Sequence, residues 1–397
     1  MEAKIKDKNK WKSTNSLCVL AIFVLIYGRG YGETVVDKFS QICAIVIIPL
    51  LYLSFLKLRK FCKDKLDKVA FEYAVLSVVL FAISAPMWYS FYNAYSYVGV
   101  VLAYIVYLLD CNQFRKLIVY ALIACTFLEL IEFISEHYFF ITSLEDIELD
   151  EKLFSGGGAF RAKGIFKGPL SVGPFAVLTY LLNNKKRWIL LLAMVACFLA
   201  NSRTGIVILS MLFIIQLFGG RIQIKYIIAV IVIGGVIMTV MLSNAVFSSS
   251  IERILDVSNT ESGTNQARMF FWLAGISTYL GYPLSHLVVG NNGFFRSIYE
   301  NNPESGWICL LTDCGVVGFL FYLTPLIYCL LHFFRKGMKS DFFITIAFII
   351  MNFVITANLS ATSNLVYWIF VFELYNKAKY KVCKGDIVYI PNLQKRK

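Results

Sequence analysis

An all-α polytopic integral membrane protein, with about twelve transmembrane helices and two long extracytoplasmic loops, is the fold class this sequence predicts. Three observations carry that expectation. First, the 397 residues are 58% hydrophobic and only 16% charged, with a mean hydropathy of +0.67. Soluble domains run roughly 45–50% apolar and about 25% charged. Second, apolar runs recur that approach the ~20 residues a helix needs to cross ~30 Å of hydrocarbon. Third, the lysines and arginines gather in the short stretches between those runs, where the positive-inside rule places them. In lipid every backbone amide must be paired, so such runs must be helices. A membrane barrel would need period-2 alternation, which the chain lacks.

Taken in order, the apolar runs place helices at 16–28, 39–56, 69–88, 94–109, 117–135, 169–183, 188–201, 204–218, 226–242, 305–331, 342–358 and 363–376. The chain 1–397 reads as a single transmembrane domain with no room for an independent soluble one. The Lys-rich N-terminus is followed by no small-residue cleavage site, so its first run is expected to be a retained helix. An even number of crossings puts both termini in the cytoplasm. Segments 57–68, 110–116, 183–187, 219–225 and 332–341, with the basic tail 377–397, fall on that side and hold most of the 38 Lys and Arg. Outside lie 136–168 and the large loop 243–304. The second contains MFFWLAGISTYL, suited to an interfacial or re-entrant helix.

The net charge of +13 does not point to nucleic acid, because the basic residues line no single soluble face. The partner it implies is the lipid bilayer, at the cytoplasmic loops. None of the ten cysteines falls in the two outer loops, so no extracellular disulfide framework is expected. His137, His286 and His332 are far apart in sequence, and there is no CxxC motif. No metal and no cofactor are expected.

Arginine on the outer side runs against the charge bias and needs a reason. Arg161 lies in FRAKGIFKGP, Arg203 in NSRTG, and Arg253 and Arg268 in the large loop. A set of guanidiniums suits a polyanionic ligand, since each binds phosphate through two parallel hydrogen bonds. Pairing with loop acids such as Glu252 or Glu261 is the alternative for any one of them. At NSRTG, Ser202 suits an N-cap, while Arg203 opposes the helix dipole unless an anion is bound. In ENNPESGW, Asn302 can cap and Pro303 suits the first helical position, which places Glu304 in the first turn. There Glu304 either complements the dipole or acts as a general base. Asp313 is expected to be paired inside the bundle, and Gly315 and Gly318 to admit a neighbouring helix. Glu129, Glu132 and Glu373 are further intramembrane acids to which the sequence assigns no partner.

Four segments between about Phe160 and Leu323 together resemble the O-antigen ligase/polymerase superfamily. They are FRAKGIFKGPLSVGPFAVL, NSRTGIVIL, ARMFFWLAGISTYLGYPLSHLVVGNNGF and ESGWICLLTDCGVVGFLFYL. NSRTG is the most specific piece, and the order of the four around a large loop is the stronger argument. Ligases of the family are expected to carry a histidine just before the last of these helices. Glu304 stands at the matching position, so the likeness is greatest to an O-antigen or capsular repeat-unit polymerase. The resemblance implies metal-independent glycosyl transfer on the outer face of the cytoplasmic membrane, between glycans carried on undecaprenyl pyrophosphate. It implies that Arg161, Arg203, Arg253 and Arg268 hold the pyrophosphate. It further implies that Glu304 and Arg203 serve catalysis, and that aromatics such as Trp272, Trp307, Phe294 and Tyr299 line a sugar groove. A flippase and a chain-length regulator would be its partners. A ligase of the same superfamily and a flippase or transporter are the alternatives.

Overall fold

A computed structural model describes residues 65–91, 93–139, 160–166, 168–184, 186–216, 263–354 and 361–379, together with positions 16, 19, 20, 22 and 23. The helices expected at 39–56 and 226–242 lie outside the described residues, as does Arg253. Among the described residues there is no strand. The α-helices are α1 (Lys65–Ser84), α2 (Tyr95–Ser135), α3 (Val172–Leu182), α4 (Arg187–Leu199), α5 (Arg203–Gln216), α6 (Gly263–Leu280), α7 (Leu284–Val289), α8 (Phe294–Tyr299), α9 (Gly306–Arg335), α10 (Lys339–Val354) and α11 (Ala361–Lys379). Among the described residues, three stretches, Val69–Met87, Tyr95–Ser135 and Gly306–Arg335, are long and apolar enough to cross a membrane.

Polarity is distributed as a lipid solvent requires. Large apolar side chains such as Phe127, Ile134, Leu191, Leu273 and Phe334 are exposed, whereas Glu129, Glu132, Lys163, Asp313 and Asn352 are buried. A chain in water would place these the other way round. In hydrocarbon the outward face can be apolar and the ionisable groups turn inward to partners.

α2 is one helix by its ladder and two by its geometry. Asp110 has φ −163° and ψ 82°, so it interrupts the helix between the two spans expected at 94–109 and 117–135. Its Oδ1 then accepts the Gln113 amide at 3.0 Å, capping the second arm. The first arm runs along α11. At one end the Cβ of any side chain at Gly99 would fall 1.9 Å from Asn364 Oδ1. At the other, Asn376 hydrogen-bonds the Tyr107 hydroxyl. Arg115 pairs with Glu373 here, and Lys377 with Asp341. Glu373 thus has the partner that the sequence did not assign. Six described cysteines, Cys111, Cys125, Cys197, Cys309, Cys314 and Cys329, are buried free thiols.

α9 is also broken. Gly315 has φ +66° and ψ −172°, a region open only to glycine. Gly315 admits a neighbouring helix, as expected: the C-terminal end of the short α7, with its cap Gly290, fills the gap. Val288 O and Gly290 N lie 2.4 and 2.5 Å from where a Cβ would stand, and Asn291 N donates to Thr312 O at 2.9 Å. The segment after α6 therefore docks into α9 instead of looping free above it. Gly318 lies against the Tyr97 hydroxyl of α2, the close approach expected of it.

Candidate functional site

The stretch 160–166 lies across the reversal between α4 and α5. Ala162 N donates to Leu199 O at 3.1 Å, Asn201 Nδ2 to Phe160 O at 3.1 Å, and Arg161 Nε to Ala200 O at 3.3 Å. Asn201 takes the left-handed conformation, φ +52°, that closes so short a turn. Arg203 follows as the first residue of α5 and is 9% exposed. Arg161 and Arg203, 42 residues apart in sequence, are thus brought to one turn.

Close packing holds that turn in place. A Cβ at Gly173 of α3 would fall 2.2 Å from Ser202 Oγ, and one at Gly205 of α5 would fall 2.6 Å from Cys197 Sγ. Glycine at both positions lets the starts of α3 and α5 meet. Ser202, expected to cap α5, is the residue pressed against Gly173.

Glu132 fixes the other edge of the stretch. Its Oε2 accepts the amides of Lys163 at 2.8 Å and Gly164 at 2.9 Å, and its Oε1 accepts Phe139 N at 3.2 Å. A carboxylate with three backbone donors acts like the anion in a loop nest. Gly164, φ +53°, passes so close that a Cβ would stand 2.7 Å from Cys125 Sγ. Lys163 is buried, with its Nζ 4.5 Å from the centre of the Tyr138 ring. Sequence reasoning missed Lys163. The signal was there, as a second cation two residues after Arg161, but a lone lysine in a loop reads as solvated.

The second group of candidates lies where α6 meets the start of α9. Arg268 Nε is 3.2 Å from Glu304 Oε2, both side chains are 29% exposed, and Asn301 Nδ2 lies 3.4 Å from Glu304 Oε1. Glu304 is not in the first helical turn. The helix begins at Gly306 after Ser305, and Glu304 precedes both with φ +54°. Its reading as a dipole-complementing residue is therefore corrected, because it stands outside the turn where the helix field acts. Gly275 allows α6 this close, since its Cβ would reach Ile308 at 2.7 Å.

The two tryptophans separate. Trp307 is buried and donates its indole N–H to Ile349 O at 2.9 Å, so it ties α9 to α10. That geometry makes it a packing residue, not a groove wall. Trp272 is half-buried and meets Phe353 edge to face at 5.1 Å. Phe294 and Tyr299 lie on α8 at the edge of the docked turn, Phe294 against Tyr282 at 5.8 Å.

Asp313 is paired as expected, by hydrogen bonds from Asn93 Nδ2 at 2.6 Å and Gly293 N at 3.2 Å. What can this arrangement do? The 160–203 cluster concentrates cationic donors at a rigid turn and suits an anion. The pair at 268–304 offers a second guanidinium beside a carboxylate. No known family profile matches the chain, and a comparison with curated proteins finds no match.

Proposed function

We propose that this chain is a polysaccharide repeat-unit polymerase of the cytoplasmic membrane, with about twelve crossings and both termini inside. The observation that carries the reading is the meeting of Arg161 and Arg203 at one turn, with Lys163 beside them. Such a cluster suits the pyrophosphate of an undecaprenyl-linked glycan, whose charge grows as it leaves. In the step, an acceptor hydroxyl oxygen bonds to the anomeric carbon of the donor chain. The bond from that carbon to the pyrophosphate oxygen breaks, and the hydroxyl proton passes to Glu304. Undecaprenyl pyrophosphate departs with the bonding electron pair. Arg268 pairs with Glu304. A phosphate that draws Arg268 away would free the carboxylate to act as base. A flippase would deliver the repeat units, and a chain-length regulator would end growth.

A second reading, a flippase or transporter, draws on the break of α9 at Gly315 beside buried Asp313. Interrupted helices next to an intramembrane charge are a transporter device. One experiment separates the two. A strain lacking this chain is complemented with the native protein or with Arg203→Ala, and its undecaprenyl-linked glycans are sized and tested for access from outside. Single repeat units stranded outside, with no ladder, are the expected result for the variant. Single units trapped inside would instead make it a flippase, and full-length chains left on lipid would make it a ligase.

A further inference from the structure

Asp313 belongs to a group of buried polar side chains apart from the anion cluster. It is 3% exposed, and each of its oxygens accepts one hydrogen bond, from Asn93 Nδ2 and from Gly293 N. Asn93 also ties in Asn292, since its backbone N–H donates to Asn292 Oδ1 at 3.0 Å. Asn292 is fully buried and, among the described residues, its Nδ2 has no hydrogen-bond partner. Tyr282, 8% exposed, likewise has a buried hydroxyl without a partner among the described residues. Burial first, and the Asp313 charge second, hold that phenol above its usual range, so it stays protonated and can donate.

A buried polar group left unpaired costs free energy, so two beside one buried carboxylate point to something that pairs them. The free groups define its chemistry. Asn292 offers N–H and so needs an acceptor. Asp313 has lone pairs left and so needs a donor. A metal cation would meet the wrong end of the Asn292 amide, and an anion would meet the Asp313 carboxylate. A hydroxyl both donates and accepts, and fits all three groups. Tyr282 also begins a run of aromatic rings. Tyr282 meets Phe294 at 5.8 Å, and Phe294 meets Tyr89 at 6.1 Å, with Tyr89 64% exposed. Rings near a carboxylate and an amide make a surface for a neutral sugar.

We infer that Asn292, Tyr282 and Asp313 hold the hydroxyl oxygen of a neutral sugar or of water, where α9 meets Tyr89, Asn93 and the 282–294 segment. The inference deepens the polymerase reading and rests on it for the sugar, which would be the acceptor repeat unit. A ring seated on these aromatics sends one hydroxyl to Asp313.

The test uses the full chain in lipid nanodiscs, titrated with the methyl glycosides of glucose, galactose, N-acetylglucosamine and rhamnose and read by saturation-transfer NMR. Native protein is expected to bind at least one. Tyr282→Phe removes a single hydroxyl and is expected to weaken that binding roughly five- to tenfold, the worth of about one hydrogen bond. Asp313→Asn, nearly the same shape, is expected to do the same. A density map of the native protein covers the other source. An isolated ordered oxygen bonded to Asn292 Nδ2 and Tyr282 Oη, with no glycoside binding, would assign the site to water. Equal binding by native protein and both variants overturns the inference, as does the absence of both glycoside binding and an ordered oxygen. The glycan ladder of Arg203→Ala reads the anion cluster separately, so either idea can fail while the other stands.

Discussion

The guanidinium of Arg268 and the carboxylate of Glu304 meet at 3.2 Å, joining the first half of α6 to the residue just before the cap of α9. The two are 36 residues apart, and each leaves part of its side chain in solvent. A pair of this exposure contributes on the order of 0–1 kcal/mol. Arg268→Ala and Glu304→Gln are therefore each expected to shift stability by less than about 1 kcal/mol in a thermal melt. Each is nonetheless expected to abolish the glycan ladder. Normal chain growth in Glu304→Gln would remove Glu304 as base.

Glu132 is expected to matter more to shape than its distance from any substrate suggests. Glu132→Ala leaves three backbone N–H groups without their carboxylate, a loss of about 2–4 kcal/mol. Hydrogen exchange at 160–166 should rise sharply, while exchange in α9 should not. Unchanged protection at 160–166 would show that other contacts hold the stretch.

Gly315 and Gly337 form a matched pair, because both have φ +66°. A Cβ at Gly315 would strike Val288 O at 2.4 Å, whereas one at Gly337 meets nothing within 4 Å. Gly337→Ala should cost only the backbone strain, about 1 kcal/mol. Gly315→Ala adds the displacement of the docked turn and should cost about 2–4 kcal/mol. Equal melting shifts would mean that the turn does not seat in the break.

Orientation can be checked by thiol labelling with Cys18, Cys43, Cys62 and Cys383 replaced by serine. Ser297→Cys, on exposed α8, is expected to react with a membrane-impermeant maleimide in intact cells. Arg335→Cys, at the end of α9, is expected to react only after permeabilisation. The reverse pattern would overturn the positive-inside assignment.

How far was this legible in the sequence? Apolar runs located α1 to α5 and α9 to α11 to within a few residues, because lipid burial is written into composition, whereas the short α7 and α8 inside the large loop left no such run. Asp110 could be placed between two runs, yet not as the single residue that both breaks the ladder and caps the next arm. The start of α9 was misplaced for a specific reason. Asn302 and Pro303 satisfy the local rules for a helix start, but tertiary contact of Pro303 with α6 at Gly275 displaces the cap to Ser305. Partners distant in sequence were out of reach. Nothing near Asp313 announces Asn93, 220 residues away, and nothing near Glu132 announces the amides of 163 and 164. The arginines at 161 and 203 were singled out by charge bias, while their meeting at one turn needed the fold.

The break in α9 also orders the making of the protein. Residues 288–290 can lodge only when Gly315 has been synthesised and its helix has entered the bilayer. Until the ribosome has supplied it, the polar turn with Asn291 and Asn292 has no backbone to receive it and must wait at the water interface. Seating of the 288–291 turn therefore follows synthesis of α9, and a chain stalled before α9 would leave that turn without its seat.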